Sequence, residues 1–302
     1  MIHAADGTES ESGQSGLPRP LRVALAQVSP WLGDRPRNQT LHLEQIEAAR
    51  QQAADLIIFP ELSLTGYFVR DMVPDLATTA AAAEIRQLAE AAGPAALVAG
   101  FIEESPQHRF YNAAFYAEGG SVVHVHRKVY LPTYGLFDEQ RYFAPGERIA
   151  AFDTARFGRA GLLICEDFWH LSALAVMQAD EVDLLICLSN SPARGVDGPK
   201  IRTAETYEHL ARSYAQLLGA VVIVVNRVGF EDGLCFWGGS MVVAPGGRVI
   251  AQAPMLDPAL TVAEIDLCEL RRQRLIAPLA RDERLLLTIE ELSRIRRQRY
   301  DG

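Results

Sequence analysis

Cysteine is scarce in this chain and none of it is spaced for a metal or a redox pair: the four residues, at 165, 187, 235 and 268, form no CxxC. At 302 residues a core can be buried without disulfide staples, so four unpaired thiols fit a reducing compartment and a cytoplasmic location is expected. Long apolar runs are also missing. No segment approaches the roughly 20 residues that a bilayer-spanning helix needs, and the N-terminus lacks the basic-then-apolar order of a secretory signal. The Asn38-Gln39-Thr40 sequon is then incidental, because glycosylation requires secretion. Basic charge is short as well, with 29 Lys and Arg against 38 Asp and Glu and a net charge of −9. Neutralising phosphates takes clustered cations, so nucleic acid is not an expected partner. The runs Arg271-Arg272-Gln273-Arg274 and Arg294 to Arg299 read as solvated helix faces or subunit contacts. There is no internal repeat, and no polar linker after residue 20 to divide the chain.

Apolar residues, by contrast, make up 49% of the chain, enough for a well-buried core. Residues 1–20, with their Gly, Ser and Glu, are expected to be a disordered lead-in, 21–267 a single domain, and 268–302 a helical extension rich in arginine. From Leu21 onward short β-branched runs alternate with amphipathic stretches. Strands are expected at Arg22 to Gln27, Leu56 to Phe59, Ala96 to Ile102, Arg159 to Cys165, Val182 to Leu188 and Ala220 to Val225. Helices are expected at Asn38 to Ala53, Ala77 to Ala92, His170 to Ala179 and Ile201 to Leu218. Ala113 to Ala117 and Ser121 to Val129, joined by Glu118-Gly119-Gly120, should pair as a hairpin. Further β segments are expected at Gly239 to Val243, Arg248 to Gln252 and Leu260 to Ile265. Hairpins within a βα alternation imply mixed sheets, and the strands are too many for one open sheet. Two sheets packed face to face with helices outside, an α/β sandwich of four layers, is the expected fold.

Three distant segments carry the chemistry: Phe59-Pro60-Glu61, His126-Arg127-Lys128 and Ile164-Cys165-Glu166-Asp167. Each places a reactive side chain at a strand end. A carboxylate, an ammonium and a thiol supply a base, a charge for an oxyanion and a nucleophile, the minimum for cleaving an amide through a thioester. Cys165 sits where an apolar strand gives way to polar residues, which should expose the thiol and offer the Glu166 N–H to a developing oxyanion. Cys187, Cys235 and Cys268 read instead as small core residues. The stretch Leu131 to Glu139 mixes turn formers, aromatics and acids, as a pocket lip would, and Glu139 could pair with Lys128. His124 and His126 share a strand face with Lys128 but have no third ligand at useful spacing, so no metal is expected.

Together the three segments resemble the nitrilase superfamily of carbon–nitrogen hydrolases, whose catalytic set is Glu, Lys and Cys. The resemblance implies Glu61 as general base, Lys128 as oxyanion-stabilising ammonium, Cys165 as nucleophile and Glu139 as the second glutamate that orients the lysine. It also implies an αββα sandwich, a homodimer or larger assembly, and no cofactor. Pro60-Glu61-Leu62-Ser63-Leu64-Thr65-Gly66-Tyr67, Leu131-Pro132, Tyr134-Gly135, Phe137-Asp138-Glu139 and Cys165-Glu166-Asp167 most resemble the glutaminase domain of glutamine-dependent NAD synthetases. In that branch positions matching Tyr134, Phe137, Trp169 and the Ser189-Asn190-Ser191-Pro192 loop help to hold the amide, and Tyr67 and Arg194 are expected beside them. Phe68-Val69-Arg70-Asp71 and Ala193-Arg194-Gly195 depart from the branch, and no SGGxDS-type loop is present, so NAD synthesis by this chain alone is not expected. The resemblance thus implies hydrolysis of a small linear amide to an acid and ammonia. The alternatives are a glutaminase subunit feeding a separate synthetase and, behind it, a nitrilase or N-carbamoyl amide hydrolase.

Overall fold

Side-chain alternation along the central strands divides their residues between two different cores, and that division builds the layers. The structure, a computed structural model, describes residues 20–300, so the lead-in expected over 1–20 lies outside the described residues except for Pro20. In chain order the strands are β1 (Leu21–Gln27), β2 (Leu56–Ile58), β3 (Ala96–Glu104), β4 (Phe110–Glu118), β5 (Ser121–Arg127), β6 (Ala151–Asp153), β7 (Arg159–Ile164) and β8 (Leu184–Ser189). They continue with β9 (Val196–Asp197), β10 (Lys200–Ile201), β11 (Val221–Asn226), β12 (Val228–Glu231), β13 (Leu234–Trp237), β14 (Met241–Val243), β15 (Val249–Gln252) and β16 (Ala259–Ile265). The helices are α1 (Arg35–Gln51), α2 (Val73–Leu76), α3 (Ala83–Ala92), α4 (Leu171–Ala179), α5 (Arg202–Leu218), α6 (Cys268–Ile276), α7 (Leu279–Asp282) and α8 (Leu285–Tyr300).

Two mixed six-stranded sheets result, ordered β16-β1-β2-β3-β4-β5 and β15-β14-β11-β8-β7-β6. Their parallel centres are β1-β2-β3 and β7-β8-β11. Val23, Leu25, Leu56, Ile58 and Val98 of the first sheet share a core with Leu162, Ile164, Ile186, Leu188 and Ile223 of the second. The alternate residues face outward: Ala24, Ile57 and Leu97 join Ile46 of α1 and Ile85 and Leu88 of α3. Leu163, Leu185 and Val222 join Met177 of α4 and Tyr207, Ala211 and Tyr214 of α5. Helix, sheet, sheet, helix is the order of layers, as the strand count predicts. Among the described residues no helix is long and apolar enough to cross a membrane.

Several elements differ from expectation. The helix expected from Ala77 begins at Ala83, because Thr78 pairs in extended conformation beside β3, donating to Ile102 O and accepting from Glu104 N. The strand expected at Ala113 starts at Phe110. The β12-β13 hairpin was not foreseen, although its Asp232-Gly233 turn, with φ of +49° and +79°, carries a standard hairpin dipeptide. The arginine-rich tail is helical but is broken into three pieces, with Pro278 between α6 and α7. Cys187 is core, whereas Cys235 and Cys268 are only partly covered, one on the outlying hairpin and the other at the start of α6.

Candidate active site

Glu61 is delivered by β2, whose Leu56, Ile57 and Ile58 are fully buried between two parallel neighbours. Pro60 has no N–H to continue the ladder, and the chain turns at once, with Leu62 in the left-handed region at φ +45°. The turn lies so close to β3 that a Cβ on Gly100 would stand 2.2 Å from Leu62 N, so only glycine fits there. Helix α1 braces the turn from outside. Asn38 Nδ2 donates to Leu64 O at 3.1 Å, and His42 stacks on Phe59 at 4.0 Å with Nε2 2.9 Å from Ser63 Oγ. Burial pushes His42 down to about 4, so the brace is a neutral imidazole at physiological pH.

The Glu61 carboxylate, 1% exposed, is fully engaged. Its Oε1 accepts from Lys128 Nζ and Asn112 Nδ2, both at 2.8 Å, and its Oε2 accepts from Asn190 N at 2.7 Å. Lys128 stands one residue beyond β5, where its backbone N–H still donates to Asn112 O at 2.8 Å. Its ammonium is buried and also donates to Glu139 Oε1 at 2.7 Å, so one cation bridges two carboxylates. Burial alone would lower the lysine pKa, but Glu139 and Glu61 more than offset it and hold the ammonium charged. Burial pushes Glu139 up to about 7, with Lys128 opposing that rise and Glu61 adding to it. Tyr67, expected as a substrate contact, donates its hydroxyl to Glu139 Oε1 at 2.6 Å. Burial first, and then the charges of Glu139 and Glu61, raise the phenol pKa, so it keeps the proton it donates.

Cys165 directly follows β7 and opens a 3-10 turn, Cys165–Trp169, with its own backbone left-handed at φ +47°. That conformation is sparsely populated for a residue with a side chain and is characteristic of functional sites. The thiol was expected to be exposed, but the residue is only 9% accessible, because the turn keeps Sγ beside the second sheet rather than projecting it outward. Sγ lies 3.4 Å from the Tyr207 hydroxyl and 3.5 Å from Ser189 Oγ. Burial pushes the thiol up to about 12, the Glu61 charge adds to this, and Lys128 opposes it. At rest the sulfur is a neutral thiol that needs a base. Glu166, the second residue of the turn, has its N–H among the donors that a first helical turn leaves free.

Asp167 ties the two halves of the site together. Its Oδ2 accepts from Ile164 N at 3.1 Å and from His126 Nε2 at 2.8 Å, and its Oδ1 from Val129 N at 3.0 Å and Tyr130 N at 2.9 Å. One buried carboxylate thus links the backbone before Cys165 to the backbone after Lys128. Asp167→Ala would strand four donors at about 1–3 kcal/mol for each that stays dry. We expect a loss of several kcal/mol in urea unfolding; a loss below about 1 kcal/mol would show that the latch is dispensable.

At the rim, Tyr134, 51% exposed, donates to Glu166 Oε2 at 2.9 Å and meets Phe137 edge-on at 5.6 Å. The Arg194 guanidinium lies 5.1 Å over Phe137, and its Nε makes no hydrogen bond. Trp169, 37% exposed, stands edge-on to Tyr207. Ser189 touches Cys165, and the Ser191 N–H donates to Asn226 Oδ1 at 2.8 Å. His124 stacks on Phe152 at 4.1 Å. The structure therefore gathers Glu61, Lys128 and Glu139 in one network, with Cys165, Ser189 and Glu166 adjoining. Sequence reasoning missed Asn112, Tyr207 and the latch of Asp167, and named Asn190 only within its loop. Asp167, standing two residues from the thiol, was the one with a visible signal.

A four-layer αββα sandwich with a buried carboxylate–ammonium–carboxylate cluster beside a cysteine at a strand end defines a carbon–nitrogen hydrolase. The chain belongs to that family: the family model described as carbon-nitrogen hydrolase matches residues 22–275, which places the protein in the nitrilase superfamily. It is 35% identical over 259 residues to the glutamine-dependent NAD(+) synthetase of Acinetobacter baylyi, covering 85% of this chain and 46% of that protein. The chain thus spans about half the length of the curated relatives it matches. A carbon-nitrogen hydrolase from Helicobacter pylori G27 superposes with a TM-score of 0.80 at 26% identity, over 90% of this chain and 98% of the other. An amidase of Nesterenkonia AN1 from the nitrilase superfamily shares the fold, with a TM-score of 0.74 at 24% identity over 92% and 99% of the two chains.

Proposed function

We propose that this protein hydrolyses the terminal C–N bond of a small linear amide through a Cys165 thioester. The observation that carries the reading is the buried Lys128 ammonium held between Glu61 and Glu139 next to a neutral thiol. Because the thiol proton does not leave by itself near neutrality, it passes to Glu61 as sulfur attacks the carbonyl carbon. Lys128 and the Glu166 N–H stabilise the oxyanion. When the C–N bond breaks, Glu61 returns the proton to the departing ammonia. Glu61 then takes a proton from water as the water attacks the thioester, and hands it to sulfur as the acid leaves. Tyr134, Phe137, Trp169, Ser189 and Arg194 would form the pocket, and no cofactor enters any step.

A second reading, glutamine as the amide and ammonia passed to a separate synthetase, has its own support. Glu166 at the rim could hold an α-ammonium, and the Arg194 Nε, which lacks a partner, could hold an α-carboxylate. The relatives named as glutamine-dependent point the same way. Ammonia release should be assayed against glutamine, short aliphatic amides, N-carbamoyl compounds, dicarboxylic acid monoamides and simple nitriles. Turnover confined to glutamine would favour the second reading, turnover of other amides the first, and release only from nitriles would refute both.

A further inference from the structure

We propose that the buried ion pair Arg227–Glu231 is a positioning element for the Lys128 ammonium, acting through Tyr67 and Glu139; this rests on the function proposed above. Arg227 is fully covered, lies over Phe236 at 4.4 Å, and donates to Glu231 Oε2 at 2.7 Å. Burying such a pair costs desolvation that other hydrogen bonds must offset. Here the other oxygen, Glu231 Oε1, is spent on two consecutive backbone amides, Tyr67 N and Phe68 N, both at 2.8 Å. The preceding Gly66 lets the chain bend beneath the carboxylate: its φ is +81°, and a Cβ there would lie 2.7 Å from Glu231 Oε2.

The residue pinned in this way is the one whose hydroxyl reaches Glu139. Glu139 Oε1 accepts from both Tyr67 and Lys128, while Oε2 has no partner. Apart from the lysine itself, then, Tyr67 is the hydrogen-bond donor that fixes this carboxylate. Glu231 of the β12-β13 hairpin thereby reaches the ammonium through three hydrogen bonds in series, from Tyr67 N to Glu231, from the Tyr67 hydroxyl to Glu139, and from Lys128 to Glu139. Lys128, Glu61 and Tyr67 face the Glu139 carboxyl directly. Arg70, Asp138 and Arg141 line the adjoining cavity of about 390 Å³, which Tyr67 and Glu139 also line.

Tyr67→Phe removes only the hydroxyl, and Glu231→Gln keeps the volume while removing the charge. Both should lower kcat about tenfold with little change in KM. Both should also move the acid limb of kcat/KM up by about one pH unit, because ionised Glu139 loses a donor that favours it. The double variant should be no worse than the poorer single one, as expected for residues acting in series. A readout independent of turnover is the infrared titration of the Glu139 carboxyl, assigned as the band lost in Glu139→Gln. Its midpoint, near 7 at the start, should rise in both variants. Should Glu231→Gln fail to fold, Glu231→Asp, which shortens the reach to Tyr67 N, takes its place. Wild-type hydrolysis with an unmoved midpoint and pH limb in the variants would overturn the proposal. A midpoint raised in both variants, with wild-type protein that hydrolyses no amide, would uphold the wiring and refute the function.

Discussion

Replacing Cys165 by alanine is expected to remove amide hydrolysis almost entirely, by at least about 10⁴-fold in kcat, while leaving the fold in place. No other thiol is placed to substitute. Cys187 faces the opposite side of its sheet, in the core shared with α4 and α5, and Cys235 and Cys268 lie on outlying elements. The structural cost should be about 1 kcal/mol, since the substitution removes a single atom from a position that β7 and Asp167 hold from the backbone. Wild-type protein quenched during turnover should carry an acyl group on the Cys165 peptide in mass spectrometry, and the variant none. Undiminished ammonia release from Cys165→Ala, with circular dichroism unchanged, would refute the nucleophile assignment.

Lys128→Met should damage both stability and activity. Methionine matches the length of the lysine stem, but it leaves Glu61 and Glu139 facing each other in a buried site without their cation. Breaking a buried ion pair by removing one partner typically costs about 3–5 kcal/mol. Loss of an oxyanion donor should lower kcat by about 10²–10³-fold as well. The stability deficit has a pH signature of known sign. Burial already pushes Glu139 up to about 7, so its protonated form is the one that folding favours. Without the Lys128 charge its pKa rises further, and the variant folds with a proton bound. The deficit should therefore be smallest near pH 5 and grow as pH rises through 7. Urea unfolding of both proteins at pH 5, 7 and 8 tests this, and a deficit that shrinks toward pH 8 would refute it. Lys128→Arg should not rescue, because a planar guanidinium cannot replace a compact ammonium donating to two carboxylates 2.7–2.8 Å away.

The layers and the three chemical segments were legible in the sequence because both rest on local signals. Leu56-Ile57-Ile58 and Leu162-Leu163-Ile164 are uninterrupted apolar runs, which buried parallel strands require, and a charged residue follows each within three positions, Glu61 and Glu166. Helix ends and strand starts were less legible. Ala77 to Ala82 has helical propensity, yet Thr78 pairs beside β3, since a tertiary hydrogen-bond partner outweighs a few tenths of a kcal/mol of propensity. The Asp232-Gly233 turn was visible and was passed over, and with it went the hairpin that carries Glu231.

By itself the sequence determined the strand and helix content, the two-sided burial that makes a four-layer sandwich, and the identities of Glu61, Lys128 and Cys165 as a chemical set. Periodicity, turn residues and functional groups are properties of the residues in order. Only the tertiary structure decided which partner each group has. Tyr67 donates a hydrogen bond to Glu139, Asp167 joins the lysine strand to the cysteine turn, and Cys165 is covered rather than open. Such bonds reach far along the chain, 38 positions from Asp167 to Val129, 72 from Tyr67 to Glu139 and 164 from Glu231 to Tyr67. Hydrogen bonds act over about 3 Å in space and leave no trace in local spacing, so sheet packing alone sets them.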